Sequence, residues 1–202
     1  MLFDQKSVIP DPAGQDEYVA TVLAYLNDAI RQTPQEILDQ VLGRHCDVRT
    51  LGVVGLHHVA VYIGDYESEE QFASLLHTVL DTPGIENVAT GPSHIAPRFY
   101  GTPGHWVNFR FGGNEYELFT CRQYGTWTTL PEREKATLMS HAGLAIDTAA
   151  RVKPTLDYLA ATIPDVELLA FAPADDLGHT YGHLLNTRTN RVVELVYSAA
   201  ED

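Results

Sequence analysis

The stretch GLHHVAVYI, residues 55–63, decides how this chain is read. Side chains alternate between the two faces of a strand. His58, Ala60 and Tyr62 therefore share one face, and Val59, Val61 and Ile63 the other. The β-branched face suits burial under a helix. The first face turns an imidazole away from that helix. A second stretch, HAGLAI (141–146), repeats the arrangement, with His141, Gly143 and Ala145 opposite Ala142, Leu144 and Ile146.

Each stretch is followed by the same order of elements. Residues 67–80 (ESEEQFASLLHTVL) form an amphipathic helix with Phe72, Leu75, Leu76 and Val79 inward, ended by Pro83 and Gly84. Strands follow at 86–92, 105–111 (HWVNFRF) and 115–120 (EYELFT), the last two joined by the hairpin signal Gly112-Gly113-Asn114. After residue 146 come a helix at 151–163, with Pro154 in its first turn, and strands at 166–171, 182–187 and 192–198. The order is βαβββ twice.

The copies also match residue by residue. GHWVN (104–108) lies over GHLLN (182–186), and EYELFT (115–120) over VVELVY (192–197). His105 then aligns with His183 and Glu117 with Glu194; one extra residue in the first copy is assigned to its hairpin turn. Such duplication makes ligand types recur in pairs.

Before the repeat, residues 16–31 and 34–42 read as helices. Val19, Val22, Leu23, Leu26 and Ile30 form a stripe in the first. The second has Thr33 as N-cap, Pro34 in its first turn and Gly43 as its stop. Residues 1–15, with Pro10, Pro12 and Gly14, read as an irregular lead-in. The expected organisation is a helical extension (1–50), a first module (51–122), and a connection with a second module (123–202). The expected fold class is α+β: two tandem βαβββ modules forming a curved mixed sheet, with an N-terminal helical extension.

Glu194 carries the chemical argument. It stands in RVVELVY (191–197), an otherwise apolar strand. An unpaired buried carboxylate costs several kcal/mol. A cation with imidazole co-ligands removes that cost. His58, Glu117, His141 and Glu194 make a set of two nitrogens and two oxygens, which suits one divalent ion such as Ni, Zn, Co, Mn or Fe. His57 is the rival to His58 but aligns with Ser140. Glu115 is the rival to Glu117 but aligns with Val192. His105 and His183 are candidate cavity-lining acids, or donors behind the ligands. His45, His77, His94 and His179 are assigned no role.

The bulk numbers narrow the classes. The chain has 202 residues and a formal charge of −14, so it repels nucleic-acid phosphates. Cys46 and Cys121 form no disulfide framework. The start, MLFDQKSVIPDPAG, lacks the pattern of a signal peptide, and no apolar run approaches the ~20 residues of a membrane helix. The expectation is a cytoplasmic protein acting on a small molecule, with neither nucleic acid nor membrane as partner.

The His early in each first strand (LHHVAVYI, MSHAGLAI) and the Glu in each last strand (EYELFT, RVVELVY) resemble the vicinal oxygen chelate superfamily. That superfamily includes glyoxalase I, methylmalonyl-CoA epimerase, bleomycin- and fosfomycin-resistance proteins, and extradiol dioxygenases. The resembling part is residues 54–198. The resemblance implies paired modules around one metal, with substrates that chelate it through adjacent oxygens. It implies metal ligation by His58, Glu117, His141 and Glu194. It also implies an isomerase, epimerase or lyase that works through a metal-bound enediolate, with Glu117 or Glu194 as the base. A second implied reading is an Fe(II)-dependent dioxygenase using His58, His141 and Glu194, with Glu117 surplus. A third is a non-enzymatic small-molecule binder of the resistance type. The resemblance leaves open whether one chain closes its own cup or two chains exchange modules in a homodimer.

Overall fold

The computed structural model describes residues 8–93, 95–131, 134–135, 139–174 and 178–199. His94 and the first seven residues of the lead-in lie outside them. The described residues carry five α-helices and eight strands, an α+β fold. Contacts divide the chain into two units. Unit one is Met1–Ile30 with Val59–Ser140; unit two is Arg31–His58 with His141–Asp202. Strand β1, Val53–Tyr66, is divided between them after His58.

Unit one holds α1 (Pro12–Ala29), the later part of β1, α3 (Glu69–Asp81), β2 (Ile85–Pro92), α4 (Ile95–Tyr100), β3 (Gly104–Phe111) and β4 (Asn114–Arg122). The strands lie in the order β2-β3-β4-β1. Helix α1 begins at Pro12 rather than Asp16, so the lead-in is shorter than its prolines and glycine suggest. Proline is tolerated at the first helical position, where its missing N–H has no intrahelical partner. Gln15 ties α1 into the unit: its amide donates to the Pro10 carbonyl at 3.1 Å and accepts from Ser74 Oγ at 3.0 Å. Helix α4 was not foreseen. Ser93 Oγ accepts from the Ala96 N–H at 3.2 Å at its start.

One face of these strands buries Ala60, Tyr62, Phe119 and Cys121 beneath Trp127 and Met139 of the connection. Trp127 sits in a short 3-10 turn, Gly125–Thr129. β1 also continues past Gly64 and Asp65, residues that read as strand breakers. Asp65 is fully buried. It accepts from Tyr62 Oη, from Trp127 Nε1 at 2.7 Å and from Lys135 Nζ at 2.6 Å. Four polar groups, two of them far along the chain from Asp65, thereby satisfy one another.

Unit two holds α2 (Pro34–Leu42), the first part of β1, β5 (His141–Ile146), α5 (Ala149–Thr162), β6 (Val166–Ala172), β7 (Thr180–Asn186) and β8 (Arg191–Tyr197). Its strand order is β1-β5-β8-β7-β6. β5 and β8 are parallel, and β7 is antiparallel to β8 and β6. Helix α2 has the expected ends. Thr33 and Glu36 form a reciprocal capping box, and Gly43 closes the helix at φ 68°. Helix α5 starts two residues before the expected position, so Pro154 lies beyond the first turn. The core packs Leu38 and Leu42 of α2 and Leu156 and Leu159 of α5 against Leu144, Leu184, Val193 and Leu195. The opposite face of those strands is left for other residues. No helix among the described residues is long and apolar enough to cross a membrane.

Candidate metal centre

That opposite face carries a polar row in the middle of unit two. β1 contributes His58, β5 His141, β8 Glu194 and β7 His183, one from each of four neighbouring strands. The pairing of β7 with β8 places His183 directly across from Glu194. β5 pairs Gly143 with Glu194. All four polar side chains are buried, each with less than a tenth of its surface exposed.

Three donor atoms converge. His58 Nε2 lies 3.1 Å from Glu194 Oε2, His141 Nε2 lies 3.3 Å from the same oxygen, and the two Nε2 atoms are 3.3 Å apart. Bonds of ~2.0–2.2 Å to a common ion would separate such donors by about 3.0–3.5 Å. The triangle fits a single cation. Two imidazole nitrogens and a carboxylate oxygen that converge in a buried place suit a cation between them.

Electrostatics agree. Burial alone would raise the Glu194 carboxyl. The neighbouring His183, with hydrogen bonds from His141 and His58, instead holds it well below the ordinary carboxylate range. Glu194 is therefore an anion suited to binding a cation and poorly suited to taking up a proton. Burial pushes the His183 imidazole down to about 4, with Glu194 opposing and His141 and His58 adding to the shift. Its Nε2 is 3.9 Å from Glu194 Oε2, its ring packs edge-on to His141 at 4.9 Å, and its Nδ1 has no hydrogen-bond partner among the described residues.

Glu117 and His105 lie in unit one. Glu117 is half-buried on β4, opposite Asn108 and on the same face as Phe119 and Cys121. His105 faces the other way. It pairs with Thr120, stacks on Phe72 of α3 at 4.1 Å with rings 10° apart, and places Nε2 3.4 Å from Glu69 Oε2. The residue opposite Glu117, as His183 is opposite Glu194, is Asn108. His105 stands three positions before Asn108, an odd offset that turns its side chain to the other face; the turn between Phe111 and Asn114 is shorter than the one between Asn186 and Arg191. On that face His105 packs against α3.

Two residues of the site were not singled out from sequence. Gly143 lies beneath the His58 ring. His57, set aside as a neighbour, has its Nδ1 2.9 Å from His58 Nδ1 and its Nε2 2.7 Å from Ser198 Oγ. The doublet His57-His58 was the available signal, but strict alternation sends its two side chains to opposite faces.

No family model matches the chain, and no curated protein matches it. Solved structures do. Methylmalonyl-CoA epimerase from Mycobacterium tuberculosis is 12% identical over 74% of this chain and 91% of its own, with a TM-score of 0.47. A mutant of 4-hydroxymandelate synthase from Streptomyces coelicolor is 13% identical over 73% of this chain and 49% of its own, at 0.44. A structural-genomics protein is 9% identical over 96% of this chain and 94% of its own, at 0.45.

Proposed function

We propose that the chain is a metal-dependent enzyme of the vicinal oxygen chelate type, acting on a small substrate with adjacent oxygens. His58, His141 and Glu194 hold one divalent ion. The observation that carries this is the triangle of donors, 3.1–3.3 Å on a side, closed within unit two. A divalent ion bound there supplies Lewis acidity toward a carbonyl or hydroxyl oxygen. Glu194 stays ionised and serves as ligand. His183, neutral at pH 7 with a spare ring nitrogen, orients a substrate oxygen at the edge of the site through a hydrogen bond.

In the first reading the reaction is an isomerisation, epimerisation or elimination that begins with loss of a proton beside a carbonyl. Glu117, the counterpart of Glu194 in the repeat, is the candidate base that this match names. In the second reading the protein is an Fe(II)-dependent dioxygenase. The favouring observation is that two imidazoles and one carboxylate already make a facial triad without Glu117.

Metal analysis of purified protein, combined with two assays on α-hydroxy and α-keto acids, separates these. Nickel, cobalt or zinc with exchange of substrate protons into solvent is expected for the first. Iron with oxygen consumption supports the second. Ligand binding that persists unchanged in His58→Ala, with no metal, defeats both and leaves a binding protein.

A further inference from the structure

We propose that His57 is the positioning residue that fixes the metal-binding edge of His58, with Ser198 behind it; this rests on the metal reading above. Nε2 of His58 is the nitrogen in the donor triangle. To bind a cation it must present a bare lone pair, so the ring proton of His58 sits on Nδ1. That Nδ1 lies 2.9 Å from His57 Nδ1. Two nitrogens so placed share one proton. His58 donates it, His57 accepts, and the proton of His57 is left on its Nε2. There Ser198 Oγ, 2.7 Å away, accepts. The chain of donors has one direction: His58 Nδ1–H to His57 Nδ1, then His57 Nε2–H to Ser198 Oγ.

The rings meet edge-on, 86° apart with centroids at 5.2 Å. Ser198 follows directly on β8, the strand of Glu194. One strand end thus supports the carboxylate ligand and the far end of the imidazole pair. The reverse direction, with His57 donating to His58 Nδ1, requires a proton on His58 Nε2 and produces a ring that cannot ligate. Metal histidines ordinarily donate their second N–H to a carboxylate, carbonyl or water, and losing such a partner typically lowers metal affinity 10–100-fold. In this chain an imidazole takes that place.

The test titrates the full metal-free chain with zinc in competition with a chromophoric chelator. His57→Ala is expected to weaken zinc binding about 10–100-fold. His57→Asn, whose amide oxygen stands near the position of Nδ1, recovers most of the loss. Ser198→Ala produces a smaller loss. In the zinc-loaded wild type, nitrogen NMR is expected to find His58 protonated at Nδ1 and His57 at Nε2. Unchanged affinity in His57→Ala, or a His57 proton on Nδ1, overturns the proposal while the metal reading stands. No zinc uptake by the wild type overturns both. Should His57→Ala fail to fold, the wild-type tautomers and the Ser198→Ala titration decide the question.

Discussion

The ring of His58 occupies the space that a side chain on Gly143 would need. A Cβ on Gly143 would lie 2.3 Å from His58 Cε1 and 2.5 Å from its Nδ1, well inside contact distance. Glycine is required here by the neighbouring ligand and not by backbone conformation. Gly143→Ala is expected to push the His58 ring out of the donor triangle. Overpacking of this kind costs roughly 1–3 kcal/mol. The protein should fold with a lowered melting temperature and lose bound metal. Metal content and thermal unfolding of the variant check this; full metal content would show that the ring can move aside.

His105 and His141 should behave oppositely although both are repeat-matched residues. His105 stacks on Phe72 in unit one. His105→Leu is expected to leave metal uptake unchanged and to lower stability by about 0.5–1.5 kcal/mol, the worth of an aromatic pair. His141→Ala removes one corner of the triangle and is expected to abolish tight uptake. Parallel metal titrations and denaturant melts of the two variants make the comparison.

The contrast shows what the sequence made legible. Helix ends such as Thr33 and Gly43 were readable because capping is local chemistry. The convergence of His58, His141 and Glu194 was readable because duplication marked them and a buried carboxylate demanded a partner. His105 was misplaced because sequence matching ignores parity, and on a strand parity decides the face. His57 was passed over because alternation sends neighbours to opposite faces, whereas the two Nδ1 atoms meet. The Asp65–Lys135 pair was not visible at all. Its partners lie 70 positions apart, one in a connection that reads as polar loop.

That buried pair should matter for stability. Lys135→Met leaves the Asp65 carboxylate with Trp127 and Tyr62 as side-chain donors among the described residues. Removing one partner of a buried ion pair typically costs ~3–5 kcal/mol. Adding Asp65→Asn removes the uncompensated charge and is expected to recover part of the loss. Urea unfolding of the single and double variants measures both, and an unaffected midpoint in Lys135→Met would argue against the pair's role.

Unit one should be alkali-sensitive. Burial, with Cys121 and Glu134 adding to it, pushes the Tyr100 phenol up to about 12. Burial and then Glu69 do the same to Tyr66, and Tyr18 and Tyr62 are raised further. A phenol raised in the folded state keeps its proton after the unfolded chain has lost its own. The stability it contributes is present below pH ~10, the ordinary tyrosine value, and is lost as pH climbs through the folded value. Each pKa unit is worth about 1.4 kcal/mol. The tyrosinate absorbance of these four phenols should therefore appear late and together with loss of circular dichroism. Early, independent titration of all ten tyrosines would contradict this.

The most direct measurement is the metal content of the wild type and of Glu194→Ala after identical purification and dialysis against a divalent ion. The triangle of His58, His141 and Glu194 predicts one ion per chain in the wild type and none held tightly in the variant. A wild type without metal, or a variant that binds it equally well, would contradict the account.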